Sequence, residues 1–168
     1  MGIDIESEKA LSKPHDKMVE GEYFTSMNEQ ATIVSQGLAE YLEIGIGDSL
    51  VLLSSGFRGT TAAGLIPIKG IAKFGLPQLN NSTVYLPLET AQEFYGAYNR
   101  VTAVAILSEN SKKSEKLTNE LSAELGESYS VYDWPTLMPE LVQAIQADRG
   151  SGYIVLLVLY MVVGFGIF

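Results

Sequence analysis

The sequence predicts an α+β protein whose last helix runs into a membrane. Three observations predict it. Tyr153 to Phe168 (YIVLLVLYMVVGFGIF) carries neither a charge nor an amide side chain. Just before it, Leu137, Leu141 and Ile145 recur every fourth residue, with Met138 and Val142 one position on, the spacing of one helix face. Upstream, strand-like and helical runs alternate from Thr83 onward, and Ser49 to Phe74 is rich in strand signals.

A bilayer-spanning helix needs ~20 mostly apolar residues, and counting from Gly150 to the end of the chain gives 19. A buried core helix is the alternative, usual at about 10–14 apolar residues. This segment has no polar face to turn toward water, so the expectation is a transmembrane helix continuing beyond Phe168. Trp134 to Arg149 (WPTLMPELVQAIQADR) then reads as an amphipathic stalk. Pro135 and Pro139 are tolerated in a first turn, where N–H groups lack partners anyway. Gly150, Ser151 and Gly152 form a soft junction between stalk and membrane segment. From Asp133 to Gly152 the only Lys or Arg is Arg149. Cytoplasmic flanks carry an excess of both, so residues 1–149 are expected outside.

The 168 residues carry a net charge of −9, from 20 acidic and 11 basic side chains. That balance argues against nucleic acid and against docking on anionic lipid. The absence of cysteine excludes disulfides and thiolate metal sites. MGIDIESEK has neither the basic nor the apolar region of a signal peptide, so an outside domain implies a membrane helix ahead of Met1.

In chain order, Met1 to Asp4 reads as the end of a strand, and Ile5 to Lys17 as a loop with a short helical turn. Glu20 to Tyr23 is a turn, Ala31 to Val34 a strand, and Gln36 to Glu43 a helix closed by Gly45. Ser49 to Ser54 and Leu65 to Phe74 form a hairpin around a long connection, Gly56 to Gly64. Pro67 favours an edge and Gly70 a bulge. Thr83 to Leu86 is a strand and Leu88 to Tyr95 a helix capped by Gly96. Val101 to Leu107 is a strand, Ser111 to Leu125 an amphipathic helix, and Ser128 to Tyr132 a strand leading into the stalk.

Sites of chemistry are sparse. His15 is the only histidine and sits among charged loop residues. Asp4, Glu6 and Glu8 alternate, but a calcium site gathers about 6–8 oxygens on a loop and no such motif is present. Gly56 to Gly64 lacks the Gly-Lys-Ser/Thr ending of a phosphate loop and does not open a helix. Ser54-Ser55-Gly56 is not a nucleophile elbow. Trp134, Phe94, Tyr95 and Tyr98 suit a core better than a sugar platform. Asn80-Asn81-Ser82 fits the glycosylation sequon, a pattern common by chance. No catalytic, cofactor-binding or metal residue is assigned. Phe57 and Arg58, flanked by glycines, are expected at a hairpin tip, an aromatic–arginine pairing enriched in interface hot spots. With Thr60 they form the candidate partner or cargo loop.

Three stretches resemble one family. SQGLAEYLEIGIGDSLVLL (Ser35 to Leu53) resembles a segment that marks the MacB-like periplasmic core domain of ABC transporter permeases. STVYLPLETAQEFYG (Ser82 to Gly96) resembles the strand and helix of the same domain. VYDWPTLMPELVQAI (Val131 to Ile145) resembles its exit into the second transmembrane helix of the FtsX-like permease module. The resemblance implies an α/β porter-like lobe (about 1–35 and 81–149) split by an inserted β-rich lobe (about 36–80), with residues 150–168 starting a transmembrane helix. It also implies a location in the bacterial cytoplasmic membrane, with residues 1–149 on the periplasmic side. The implied partners are a cytoplasmic ATPase subunit, a second permease subunit, and a lipoprotein or other periplasmic cargo. The subunit would couple ATP hydrolysis to periplasmic movement through its stalk and catalyse nothing itself. The Gly56 to Gly64 hairpin resembles the lipoprotein-releasing branch more than the antibiotic-efflux branch. A different class, a membrane-tethered regulatory domain of the FtsX type controlling a partner, shares the same layout.

Overall fold

Ile33 and Val34 decide how the first part of the chain folds. They are neighbours in β3 (Thr32–Ser35), where all four residues are buried. Adjacent strand side chains point to opposite faces, so β3 needs cover on both. Ile33 packs with Ile3, Ile5, Phe24, Phe74 and Tyr85, and Val34 with Ala39, Ile68 and Ile71. In the computed structural model, β3 lies between β6 (Val84–Pro87), antiparallel to it, and β5 (Thr61–Ala72), parallel to it. The six-stranded mixed sheet runs β1 (Gly2–Ile3), β6, β3, β5, β2 (Met18–Gly21), with β4 (Ser49–Ser55) attached to β5 alone. Three helices of two turns belong with it: α1 (Ile5–Leu11), α2 (Gln36–Leu42) and α4 (Leu88–Tyr95). α3 (Pro77–Asn80) is a single turn. The architecture is thus mixed α+β.

The structure describes residues 1–108, 110 and 113–166. They form two compact units, Met1–Ala105 and Ile106–Phe168. The sheet belongs to the first.

β5 changes partners along its 12 residues. Ile68 to Ala72 lie between β3 and β2, whereas Thr61 to Pro67 pair only with β4. Ile68 donates its N–H to the Asp48 carbonyl at 2.8 Å, and Gly56 donates to Thr60 at 2.6 Å. Those bonds fix which rungs of the β4–β5 ladder are hydrogen-bonded. The Ser49–Pro67 rung falls between them, so a proline without an N–H breaks no bond there. The expected bulge at Gly70 is present. Thr32 faces Ile68 and Ile33 faces Gly70, leaving Lys69 as the extra residue. A Cβ on Gly70 would fall within 3 Å of the Met18 methyl and the Glu22 carbonyl.

Several expectations need correction. The connection expected over Gly56 to Gly64 is shorter: Thr61 to Gly64 join the ladder opposite Ser55 to Leu52. α2 ends on Glu43, in the left-handed region at φ 56°, rather than on Gly45. Gly45 instead opens a turn in which its N–H donates to the Asp48 carboxylate at 2.8 Å. The turn expected at Glu20 is the end of β2. The loop expected from Ile5 contains α1, capped by Asp4. Val101 to Leu107 forms no strand. Alternation becomes a ladder only beside a second strand, and among the described residues none pairs with this stretch; Val104, Ile106 and Leu107 are exposed. Of the strand expected over Ser128 to Tyr132, Ser128 ends a 3-10 turn (Gly126–Ser128) and Tyr129 to Tyr132 follow it as chain that pairs with no strand among the described residues.

The second unit contains α5 (Ser114–Leu125), α6 (Trp134–Leu137) and α7 (Pro139–Gly166). Ser111 and Lys112, at the expected start of α5, lie outside the described residues, as do Ile167 and Phe168 at the end of the expected apolar helix. The expected stalk is broken once, at Met138 (φ −130°, ψ 62°), because a residue preceding proline is pushed out of the helical region. Pro135 is the second residue of α6 and Pro139 the first of α7. α7 then runs 28 residues through Gly150, Ser151 and Gly152 without interruption. Among the described residues no helix is long and apolar enough to cross a membrane. From Tyr153 to Gly166 the apolar part of α7 reaches about 21 Å at ~1.5 Å per residue, against a hydrocarbon core of about 30 Å.

Candidate functional site

The hairpin tip closes in five residues. Gly56 and Thr60 face each other across the turn, the Thr60 hydroxyl donates to the Phe57 carbonyl at 3.0 Å, and Gly59 donates to Gly56 at 3.2 Å. Arg58 and Gly59 take consecutive left-handed conformations, φ 59° and 80°, so the turn is tight enough to seat its backbone against α4. A Cβ on Gly56 would lie 3.1 Å from the Tyr95 carbonyl.

The loop after α4 completes the tip. Gly96 caps that helix at φ 64°, and the Gln92 amide donates to the Arg100 carbonyl at 2.9 Å. This returns Arg100 to Phe57. Its guanidinium lies 4.8 Å from the Phe57 ring centroid and that of Arg58 lies 5.3 Å away. A cation over an aromatic face is attracted by the ring quadrupole. Phe57 is therefore not a free tip residue. It is 38% exposed and held by two cations, neither of which is ion-paired among the described residues. The chain carries no Asp or Glu between Asp48 and Glu89, so the hairpin itself adds no acid to offset these two cations.

The other side chains singled out by sequence have local structural partners. The Asp4 carboxylate accepts from the N–H groups of Glu6 (3.2 Å) and Ser7 (2.9 Å) as an N-cap. Glu6 pairs with Lys9 at 2.9 Å, and Glu8 accepts from the Ser12 hydroxyl. On a helix Glu6 turns away from the face that Asp4 and Glu8 share, and among the described residues no group of three or more His, Asp or Glu is placed to hold a metal. His15 lies 3.3 Å from Asp16 and edge-on to Tyr23. Phe94 and Tyr95 pack ring against ring at 4.9 Å, beside a cavity of about 170 Å³ also lined by Leu52 and Leu86. Trp134 belongs to the second unit.

Three features escaped the sequence reading. Glu29 accepts from the Thr25 N–H (2.8 Å) and hydroxyl (2.9 Å) and from Lys69. Burial alone would raise its pKa, but these partners outweigh it and hold the carboxyl below the usual glutamate range. The Tyr23 hydroxyl is buried without a hydrogen-bond partner among the described residues. Burial, followed by the nearby Glu8 charge, pushes its pKa up to about 12. The third feature is an apolar outer face on the hairpin. Val51 stands opposite Leu65 and Leu53 opposite Ala63. Val51, Leu53 and Leu65 are 73%, 75% and 66% exposed.

No family model and no curated protein matches the chain.

Proposed function

We propose that the chain is the extracytoplasmic domain and stalk of a permease subunit in a bacterial ABC transporter of the lipoprotein-releasing or efflux type. On this reading the polypeptide catalyses nothing itself. A cytoplasmic ATPase subunit moves the membrane helices, and α7 carries that movement outward to the domain. A second permease subunit completes the assembly, and the Phe57 tip meets a lipoprotein or other periplasmic cargo.

The supporting observation is α7. It is one helix from Pro139 to Gly166, and Leu156, Leu159, Tyr160, Met161, Val162 and Val163 along it are all exposed. Leu156, Leu159, Tyr160 and Val163 fall on one face at helical spacing; Met161 and Val162 extend the apolar surface around it. Exposed apolar side chains in such a row on a helix favour an apolar solvent, and the bilayer core is one. The amphipathic beginning of α7, ending at Arg149, suits the membrane surface, with Gly150, Ser151 and Gly152 at the junction.

The test is purification of the full-length protein from membranes. The expected result is resistance to carbonate extraction and co-purification of an ATPase subunit together with a lipoprotein. Recovery with a single soluble partner and no ATPase would favour a tethered regulatory domain. Complete extraction by carbonate would overturn both readings.

A further inference from the structure

β4 leaves one edge open. Its hydrogen bonds to β5 use the even-numbered residues, as the flanking bonds Ile68 to Asp48 and Gly56 to Thr60 require. The N–H and C=O groups of Ser49, Val51, Leu53 and Ser55 therefore point away from β5, and among the described residues β4 pairs with no other strand. The strand SLVLLSS has no charge, proline or glycine. Folded proteins usually protect such an edge with Lys, Pro, a bulge or a covering element. Here both the backbone groups and the side chains of Val51 and Leu53 are left bare.

We propose that this edge is where two copies of the chain associate, β4 pairing antiparallel with β4 of the second copy across a twofold axis. Full overlap of the seven residues sets the register: Ser49 opposite Ser55 of the other copy, and Val51 opposite Leu53. That register makes hydrogen-bonded rungs of all four open residues and joins the two apolar outer faces into one. Charge favours the antiparallel sense. Asp48 precedes β4 and Arg58 follows it, so each tip, whose two guanidiniums have no ion-pair partner among the described residues, meets the acidic end of the other strand. A parallel pair would bring like charges together. The hairpin adds no acid from Ser49 to Ala72, so two chains of net charge −9 can bring these strands together without carboxylates of the strands facing each other. An isologous contact needs a self-complementary patch, and this strand is one. The inference does not depend on the transport reading.

The test uses the absence of cysteine from the chain. Ser49→Cys and Ser55→Cys are both on exposed residues. Each full-length variant is prepared separately in detergent, and the two are mixed under mild oxidation. Hydrogen-bonded rungs hold Cα atoms about 5.5 Å apart, within disulfide reach. Like positions, six residues offset, lie about 20 Å apart. The expected result is a mixed disulfide at least tenfold above either variant alone. Leu53→Lys, or Val51→Pro, which removes an N–H that β5 does not use, should abolish it without changing the circular-dichroism melt. No excess of the mixed disulfide over the single variants would overturn the proposal. So would its persistence in Leu53→Lys, or capture of Cys-bearing chains by a different protein in place of the second copy.

Discussion

The Lys69 ammonium, on the bulged residue of β5, lies 2.5 Å from a Glu29 carboxylate oxygen forty residues away in sequence. Both side chains are about one-fifth exposed, 19% and 20%. The Glu29 carbonyl also accepts from the buried Thr90 hydroxyl at 2.9 Å, so this residue ties the loop before β3 to both β5 and α4. Because its folded pKa is lowered, the stabilisation is present above the unfolded value, about 4.3. It is lost as pH falls through the folded value. Glu29→Gln should cost about 2 kcal/mol at pH 7 and distinctly less near pH 3. Denaturant unfolding at the two pH values measures it, and an equal cost at both would show that charge is not the source.

Glu43 closes α2 in a left-handed conformation without being glycine. Glu43→Gly removes the Cβ penalty and should stabilise the protein by about 1 kcal/mol. A lowered melting temperature would mean that the Glu43 side chain contributes more than its backbone costs.

Gly70→Ala should be among the most damaging single-methyl changes. The added Cβ meets the Met18 methyl, which can swing aside, and the Glu22 carbonyl, which is backbone and cannot withdraw without shifting the chain beside the bulge. A loss of about 2–3 kcal/mol is expected, read as a drop in denaturant midpoint.

Phe57→Ala removes the ring shared by Arg58 and Arg100. An exposed cation–π pair contributes about 0.5–1 kcal/mol, so the fold should lose no more than about 2 kcal/mol. If the tip contacts a partner, binding should fall much more steeply than stability. A loss above about 3 kcal/mol, the range of a truncated core aromatic, would make Phe57 a core residue.

Within α7, Gly152 has open space around its Cα, so Gly152→Ala should stiffen the helix by about 1 kcal/mol without a clash. Ser151→Pro costs about 3 kcal/mol and removes a helical bond. In liposomes containing the complete transporter, the first should alter export per ATP. The second should leave ATP turnover while export falls. Unchanged export per ATP in Ser151→Pro would mean that force does not travel along this helix.

The parts of the fold legible in sequence were those fixed by neighbours in sequence. Leu88 to Tyr95 with Gly96 behind it was found to the residue, because a short helical run and its left-handed cap lie within nine positions. The strand at Ser49 and the bulge at Gly70 carried equally local signals. Asp4 with Glu6 and Glu8 carried one too, an N-cap with acids in the first turn, but alternation suggested the wrong period. Val101 to Leu107 failed for the opposite reason: its pattern describes a side of a sheet and says nothing about whether a partner strand is there. At the tip, Phe57 and Arg58 were recognisable as neighbours. Arg100 was not, because only the fold of α4 and the loop after it returns that residue to the ring. The Glu29–Lys69 pair likewise had no local signature.

The change of partners along β5 implies a gradient of exposure to solvent hydrogen. Toward Ala72 the strand has a neighbour on each edge, so freeing an amide there requires dismantling the sheet around Ile33 and Val34. Toward Thr61 each amide depends on a single neighbour, and that neighbour's other side is open. Deuterium should therefore enter Ala62, Gly64 and Ile66 through local parting of the hairpin, orders of magnitude sooner than it enters Ile71 and Ala72. Within one continuous strand, Pro67 marks the border between a section that breathes by itself and a section that opens only when the whole sheet does.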